Sequence, residues 1–217
     1  MYMVKQEIDK PVENMSHSPR AALSPEGCDL LFREARTHSH WLDRPVTNES
    51  LRGLYDLLKW GPTSANTSPM RVLFLKTKAG KQRLLPALAP GNVDKTLAAP
   101  VTAILAYDLK FYERLGELFP SNPAYRDHFA ANAEVSETTA RRNGTLQGAY
   151  FMIAARALGM DCGPMSGFDS EKVDVEFFGG GSGNIKSNFL CNLGYGDDSH
   201  LFPRLPRLKF EDACWII

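Results

Sequence analysis

No stretch of this 217-residue chain runs through apolar residues for the ~20 positions that a membrane-crossing helix requires. Net charge is also missing, because 25 Lys+Arg balance 25 Asp+Glu. Neither a long nucleic-acid polyanion nor an anionic membrane surface is therefore the expected partner. The four cysteines, Cys28, Cys162, Cys191 and Cys214, form no C-x-x-C pair and follow no metal-ligand spacing. In a chain of this length they read as reduced, mostly packed thiols of a cytoplasmic protein.

Other absences concern chemistry. There is no G-x-G-x-x-G or G-x-x-x-x-G-K-[ST] phosphate loop and no G-x-S-x-G nucleophile elbow. His17, His38, His40, His128 and His200 are not spaced as H-E-x-x-H or as a metal cluster, and no carboxylate pair stands out. The glycine run Gly179-Gly180-Gly181-Ser182-Gly183 reads as a flexible connector, too poor in side chains to pack. A chain with no evident nucleophile, metal or acid–base pair points to a bound cofactor as the reactive group.

With 43% hydrophobic and 23% charged residues, the composition is that of an ordinary globular protein, and the length suits one sizeable core. We expect a flexible N-terminal extension over residues 1–20, charged and without the apolar stretch of a secretory signal, followed by a single domain over 21–217. Ser24-Pro25 opens a helix with Leu30, Leu31 and Ala35 as its apolar stripe. Thr47 caps a second helix with Leu51, Leu54, Tyr55, Leu57 and Leu58 on one face, ended by Gly61-Pro62. Val72–Leu75 suits a buried strand, and Val101–Ala106 and Asn188–Leu193 suggest two more. The longest helix is expected from about Val135 to Leu158, capped by Gly159, and a short one opens at Asp169-Ser170-Glu171. Helices and strands alternate without a regular βαβ rhythm, which predicts an α+β layer fold.

Four segments carry candidate chemistry, and each has a plainer reading. Arg36-Thr37-His38-Ser39 could clamp a phosphate through charge-assisted hydrogen bonds, or could be the solvated end of a helix. Trp60–Pro69, rich in small and polar residues, could present amides to a planar polar ligand, or be a simple turn. In Gly163–Asp169, Gly167 permits close backbone approach and Met165 can lie against a ring, although the segment also reads as an ordinary loop between helices. Phe202-Pro203-Arg204-Leu205-Pro206-Arg207 could complete a phosphate site or be a solvated basic loop.

Taken in this order, the four segments resemble the flavin site of the nitroreductase family. Arg36–Ser39 resembles its R-x-S/H segment, and Ser64-Ala65-Asn66-Thr67-Ser68-Pro69 its S-x-N-x-Q-P loop, with Ser68 where glutamine is usual. Leu158–Asp161 with Gly163–Asp169 resembles its L-G-x-x…P-x-x-G-F-D block. Within the family the chain is similar to the malonic semialdehyde reductase subgroup of pyrimidine degradation, on Lys59–Asn66, Ala99–Ile104, Gly163–Asp169 and Arg204–Leu208.

The resemblance implies a central, mostly antiparallel sheet flanked by helices, in an intertwined homodimer that binds FMN and takes electrons from NADH or NADPH. It implies that Arg36 and Arg204 bind the FMN phosphate and that Thr37 and His38 line the phosphate and ribityl region. Ser64, Ala65 and Asn66 would contact the flavin from the other subunit. Pro164, Met165, Ser166 and Gly167 would flank the ring, with the Gly167 N–H near N5. The implied reaction is ping-pong hydride transfer through N5 that reduces malonic semialdehyde to 3-hydroxypropanoate, with no conventional catalytic side chain. A flavin relay adds a step that direct reduction by nicotinamide avoids, which keeps a broad-acceptor nitro- or quinone reductase open. A non-enzymatic FMN-binding sensor is the alternative from another class. Asn143 and Lys186 are polar and near these segments, without an assigned role.

Overall fold

A computed structural model describes residues 21–179 and 183–217. The expected N-terminal extension over 1–20 lies outside the described residues, as does the centre of the expected glycine connector. Helices α1 (Pro25–Cys28), α2 (Asn48–Leu58), α3 (Lys78–Leu84), α4 (Pro90–Ala98), α5 (Leu115–Leu118), α6 (Ala124–Ala131), α7 (Ala133–Ala157), α8 (Ser170–Phe178) and α9 (Phe210–Ala213) surround one sheet. Its strands are β1 (Met70–Leu75), β2 (Val101–Asp108), β3 (Asp161–Met165) and β4 (Ile185–Gly194). Their order is β1-β2-β4-β3, with every pairing antiparallel. This is the α+β layer architecture expected. Among the described residues, no helix is long and apolar enough to cross a membrane.

The local signals that start and stop helices act as expected. Ser24 Oγ accepts the Gly27 N–H, Thr47 Oγ1 accepts the Ser50 N–H and Asp169 accepts the Lys172 N–H, so each satisfies a donor in the first turn of its helix. Gly159, at φ +73°, takes the left-handed position just after α7. Packing corrects other expectations. After α1 the chain makes a π-helical turn, Asp29–Arg33, and Leu30 stays exposed because the segment is too short to present a continuous face to the core. On α2 only Leu51, Leu54 and Leu58 are buried. Leu57 lies off that stripe at 100° per residue, and Tyr55 borders a surface cleft.

Strand β2 organises the interior. Its alternation sends Val101, Ala103 and Leu105 to one face, with Leu54, Phe151 and Leu193, and Ile104 to the other, with Leu84, Val173 and Leu190. A third cluster, Phe111, Leu115, Phe129 and Ala140, holds the helical excursion between β2 and α7. Strand β1, expected to be buried, is instead the sheet edge. It pairs only with β2, and its middle residues are half-buried. The segment from Gly163, readable as a helix-to-helix loop, enters the sheet as the end of β3. Pro164 is tolerated there because β3 is the other edge strand and needs no outward donor.

One cation lies inside this frame. Lys81 of α3 is buried and donates through Nζ to the Ala99 carbonyl at the end of α4, and burial pushes its pKa down to about 8. Folding thus lowers the ammonium's pKa from its ordinary 10.5, so between the two values the unfolded chain binds the extra proton and stability rises with pH. Lys81→Met cannot titrate and lacks this contribution. Denaturant unfolding at pH 8 and at pH 10.5 should show the stability difference between variant and wild type moving in favour of wild type at the higher pH. Parallel pH dependences would overturn the assignment.

Candidate functional site

Residues 36–39 do not end a helix. The helical turn stops before them, and the chain runs extended beside β3, where Thr37 bridges Cys162 and the His38 N–H donates to the Cys162 carbonyl at 3.0 Å. Glycine at 163 allows this approach, since a Cβ there would stand 2.4 Å from the His38 carbonyl oxygen. The chain segment after β4 comes back across the same place. Arg36 Nη2 donates to the Phe202 carbonyl, and Arg204 Nη2 reciprocates to the Ala35 carbonyl at 3.3 Å.

Between these segments lies a cleft of about 450 Å³ whose lining includes Arg36, Thr37, His38, Pro164 and Arg204. Its cations are Arg36, Lys95, Arg156, Arg204 and Arg207, and among the described residues no carboxylate lines it. Such a lining concentrates positive potential and suits a multiply charged anion. Lys95 and Arg156 were missed by sequence reasoning. Each looks like a solvated helix cation until tertiary packing brings residues more than 50 positions apart to one wall. Arg156 Nη1 donates to the Leu31 carbonyl at 3.0 Å, while its Nε is buried without a partner.

The other expected residues divide by what their atoms are free to do. Thr37 is exposed at the cleft. The His38 ring is buried, with Nε2 3.5 Å from Asp161 Oδ1 and 3.8 Å from Asp198 Oδ1, so this side chain braces the wall. Met165 puts its side chain in the core, where Thr96 Oγ1 meets its Sδ at 3.8 Å, leaving its backbone as the part that could meet a ligand. Ser166 and Gly167 are exposed in the turn after β3. The Gly167 carbonyl accepts from Asn92 Nδ2 at 2.7 Å and from the Ala89 N–H at 2.9 Å, which ties α4 to this turn.

Ser64, Ala65 and Asn66 are elsewhere in the same chain. They form a tight turn beside a second cleft of about 720 Å³, lined by Trp60, Asn66, Met70, Arg71 and Arg114 among others, with no residue in common with the first. Ala65, Asn66 and Ser68 all have positive φ, of 48°, 51° and 40°. For non-glycine residues this costs on the order of 1–3 kcal/mol each and must be held by surrounding bonds. The Asn143 side chain of α7 accepts the Ser64 N–H at 2.9 Å, and Gln147 Oε1 accepts the Met70 N–H at 2.9 Å. Asn66 Nδ2 donates to the Leu118 carbonyl, and Thr63 Oγ1 accepts the Ser68 N–H. Asn143 is thus a support for this loop. Lys186 faces Asp174 at 3.6 Å, next to α8.

Cys191, opposite Pro164 in the β3–β4 ladder, has its thiol pushed well up by neighbouring Cys162 and by burial, which keeps it protonated. Among the described residues no group of His, Cys, Asp or Glu could hold a metal ion.

The same fold recurs in solved structures. A candidate nitroreductase in complex with FMN from Exiguobacterium sibiricum superposes with a TM-score of 0.77 at 20% identity, covering 91% of this chain and 99% of the other. A candidate NAD(P)H:FMN oxidoreductase from Staphylococcus epidermidis gives 0.74 at 17% identity, covering 91% and 98%. A candidate nitroreductase from Bacillus subtilis gives 0.74 at 21%, covering 86% and 97%. The sequence model of the nitroreductase family matches residues 32–195, which takes in three of the four candidate segments and the whole sheet. The chain belongs to the nitroreductase family.

Proposed function

We propose that this protein is an FMN-dependent NAD(P)H oxidoreductase whose physiological acceptor is malonic semialdehyde, reduced to 3-hydroxypropanoate. The observation that carries the cofactor reading is the cation-lined cleft without a carboxylate between residues 36–39, β3 and the tail. Its donor set fits a phosphate ester, because guanidinium groups deliver paired charge-assisted hydrogen bonds to phosphate oxygens. One structural relative is a candidate nitroreductase in complex with FMN and another a candidate NAD(P)H:FMN oxidoreductase, which agrees with this reading. The acceptor rests on the resemblance of Lys59–Asn66, Ala99–Ile104, Gly163–Asp169 and Arg204–Leu208 to the malonic semialdehyde reductase subgroup.

Bound FMN supplies a two-electron relay between NADH or NADPH and the acceptor. Arg36 and Arg204 hold its phosphate, and Thr37 offers a hydroxyl beside them. The edge strand and its turn, Pro164 to Gly167, flank the ring. The Gly167 N–H is left for the ring because its carbonyl, not its amide, makes the bonds to α4. No side chain of this chain needs to act as nucleophile, and the aldehyde oxygen would take the proton that completes the alcohol from water. A broad-acceptor nitro- or quinone reductase is the second reading. The larger cleft favours it, because Trp60, Tyr55 and Phe74 offer aromatic surface to a flat acceptor.

The working unit in this proposal is a homodimer in which Ser64, Ala65 and Asn66 of one protomer complete the other's flavin site. Two observations support it: in one chain Asn66 of that loop lines a different cleft from Arg36, and the tail leaves Phe202, Leu205, Leu208, Trp215 and Ile216 strongly exposed. A face that apolar calls for a covering surface.

Stopped-flow reduction by NAD(P)H, followed by reoxidation with malonic semialdehyde, a quinone or a nitroarene, tests the activity. Reoxidation should be fastest with malonic semialdehyde, and no acceptor-dependent reoxidation at all would favour a sensor. Arg204→Ala should weaken FMN binding roughly tenfold or more, and more than Arg207→Ala, since a lost charge-assisted bond costs on the order of 1.5–3 kcal/mol. Arg207 already spends Nη1 on the Leu205 and Pro206 carbonyls. Equal losses would reject the assignment. Sedimentation should give a dimer carrying two FMN, whereas a stable monomer with stoichiometric FMN would defeat the shared-site proposal.

A further inference from the structure

Arg156 stands in the last turn of α7, the helix that also supports the Ser64 turn. A cation there interacts favourably with the helix dipole, and one guanidinium N–H is used on the Leu31 carbonyl. Neither role accounts for the rest of the group. Arg156 Nε is buried and has no acceptor among the described residues, and the side chain shares its cleft with Arg36, Lys95, Arg204 and Arg207. A charged N–H buried without a partner is unfavourable, and like charges around it add to that cost. An anion seated in the cleft would relieve the repulsion among these cations and meet the N–H groups that face it.

The anchoring also differs between the cations. Arg36 and Arg204 are carried by a short extended segment and by an exposed tail, and each guanidinium donates to a carbonyl of the opposite segment. Arg156 is carried by the longest helix of the fold, whose neighbours Ala154 and Ala155 are in the core. Its Leu31 bond fixes the chain just before Arg36.

We propose that Arg156 is a third phosphate-binding residue of the cofactor site, the rigid arm that makes the cleft select a phosphorylated flavin over an unphosphorylated one. This rests on the functional reading above. The anion it recognises is a phosphate monoester, held by the unused N–H groups of a guanidinium already in place before the ligand arrives.

The test compares dissociation constants of FMN and riboflavin, by flavin fluorescence quenching, for the wild-type protein, Arg156→Met and Arg156→Lys. Arg156→Met should lose about tenfold or more in FMN affinity and leave riboflavin affinity unchanged, because riboflavin has no phosphate to lose contact with. Arg156→Lys keeps the charge but not the planar fork, so its FMN-to-riboflavin preference should fall between the other two. Should Arg156→Met fail to fold, the lysine variant alone decides, since an undiminished preference in it overturns the proposal. Equal weakening of both flavins would make Arg156 a structural brace and would also overturn it. A wild-type protein that binds neither flavin overturns the functional reading and this proposal with it. Tight FMN binding by wild type with an unchanged preference in both variants overturns this proposal alone.

Discussion

Helix α7 must lie close against the sheet, and much else follows from that contact. At Gly144 and Gly148 a Cβ would run into Tyr107 at 2.8 Å and into the Phe189 ring at 2.6 Å, so the helix meets the strands through its own backbone. At this separation Phe151, Ala154 and Ala155 fill the space above β2 and β4, and α2 is drawn in over them through Leu54. The buried polar residues of the same helix then have no water to turn to. Asn143 and Gln147 satisfy themselves on the Ser64 and Met70 amides, which holds three non-glycine residues at positive φ. A helix that looks like scaffold thus sets the shape of one cleft along its middle and places a cation in the other at its end.

The two clefts differ in charge. In the larger one the cations are offset by acids, Lys59 by Asp56, Arg71 by Asp108 and Arg114 by Glu117. In the smaller one the hydrogen bonds of Arg36, Arg156, Arg204 and Arg207 among the described residues go to carbonyl oxygens. A positively charged wall facing one strand edge is unfavourable for the free chain and favourable once an anion is present. A fold that keeps such a wall ties its stability to ligand binding. The cross-links between residues 35–36 and 202–204 make the tail part of this wall.

Much of the fold was legible because its signals are local. Ser24, Thr47 and Asp169 cap the first turns that follow them, Gly159 takes the left-handed turn after α7, and Val101–Ala106 is apolar enough to be a central strand. The candidate segments were legible for a different reason: their residue types and order resemble those of a family. What failed concerned neighbours. Strand β1 reads as buried because its residues are apolar, yet an edge position leaves it half-covered, and sequence periodicity carries no information on which strand ends a sheet. Gly163-Pro164 reads as a loop because both residues break regular structure, until the sheet offers an edge where a proline does no harm.

The sequence by itself determined where α1, α2 and α8 start and where α7 ends, the α+β class and the segments from which a phosphate-binding site would be drawn, since each depends on residues within a few positions of one another. Tertiary structure alone decided that the His38 ring faces Asp161 and Asp198, that Met165 belongs to the core, and that Asn66 and Arg36 line separate clefts in one chain. It also brought Lys95 and Arg156 to the cleft wall beside Arg36 and Arg204. The physical reason is that a charge's role depends on what surrounds it in space. Packing joins residues whose separation along the chain leaves no pattern to read.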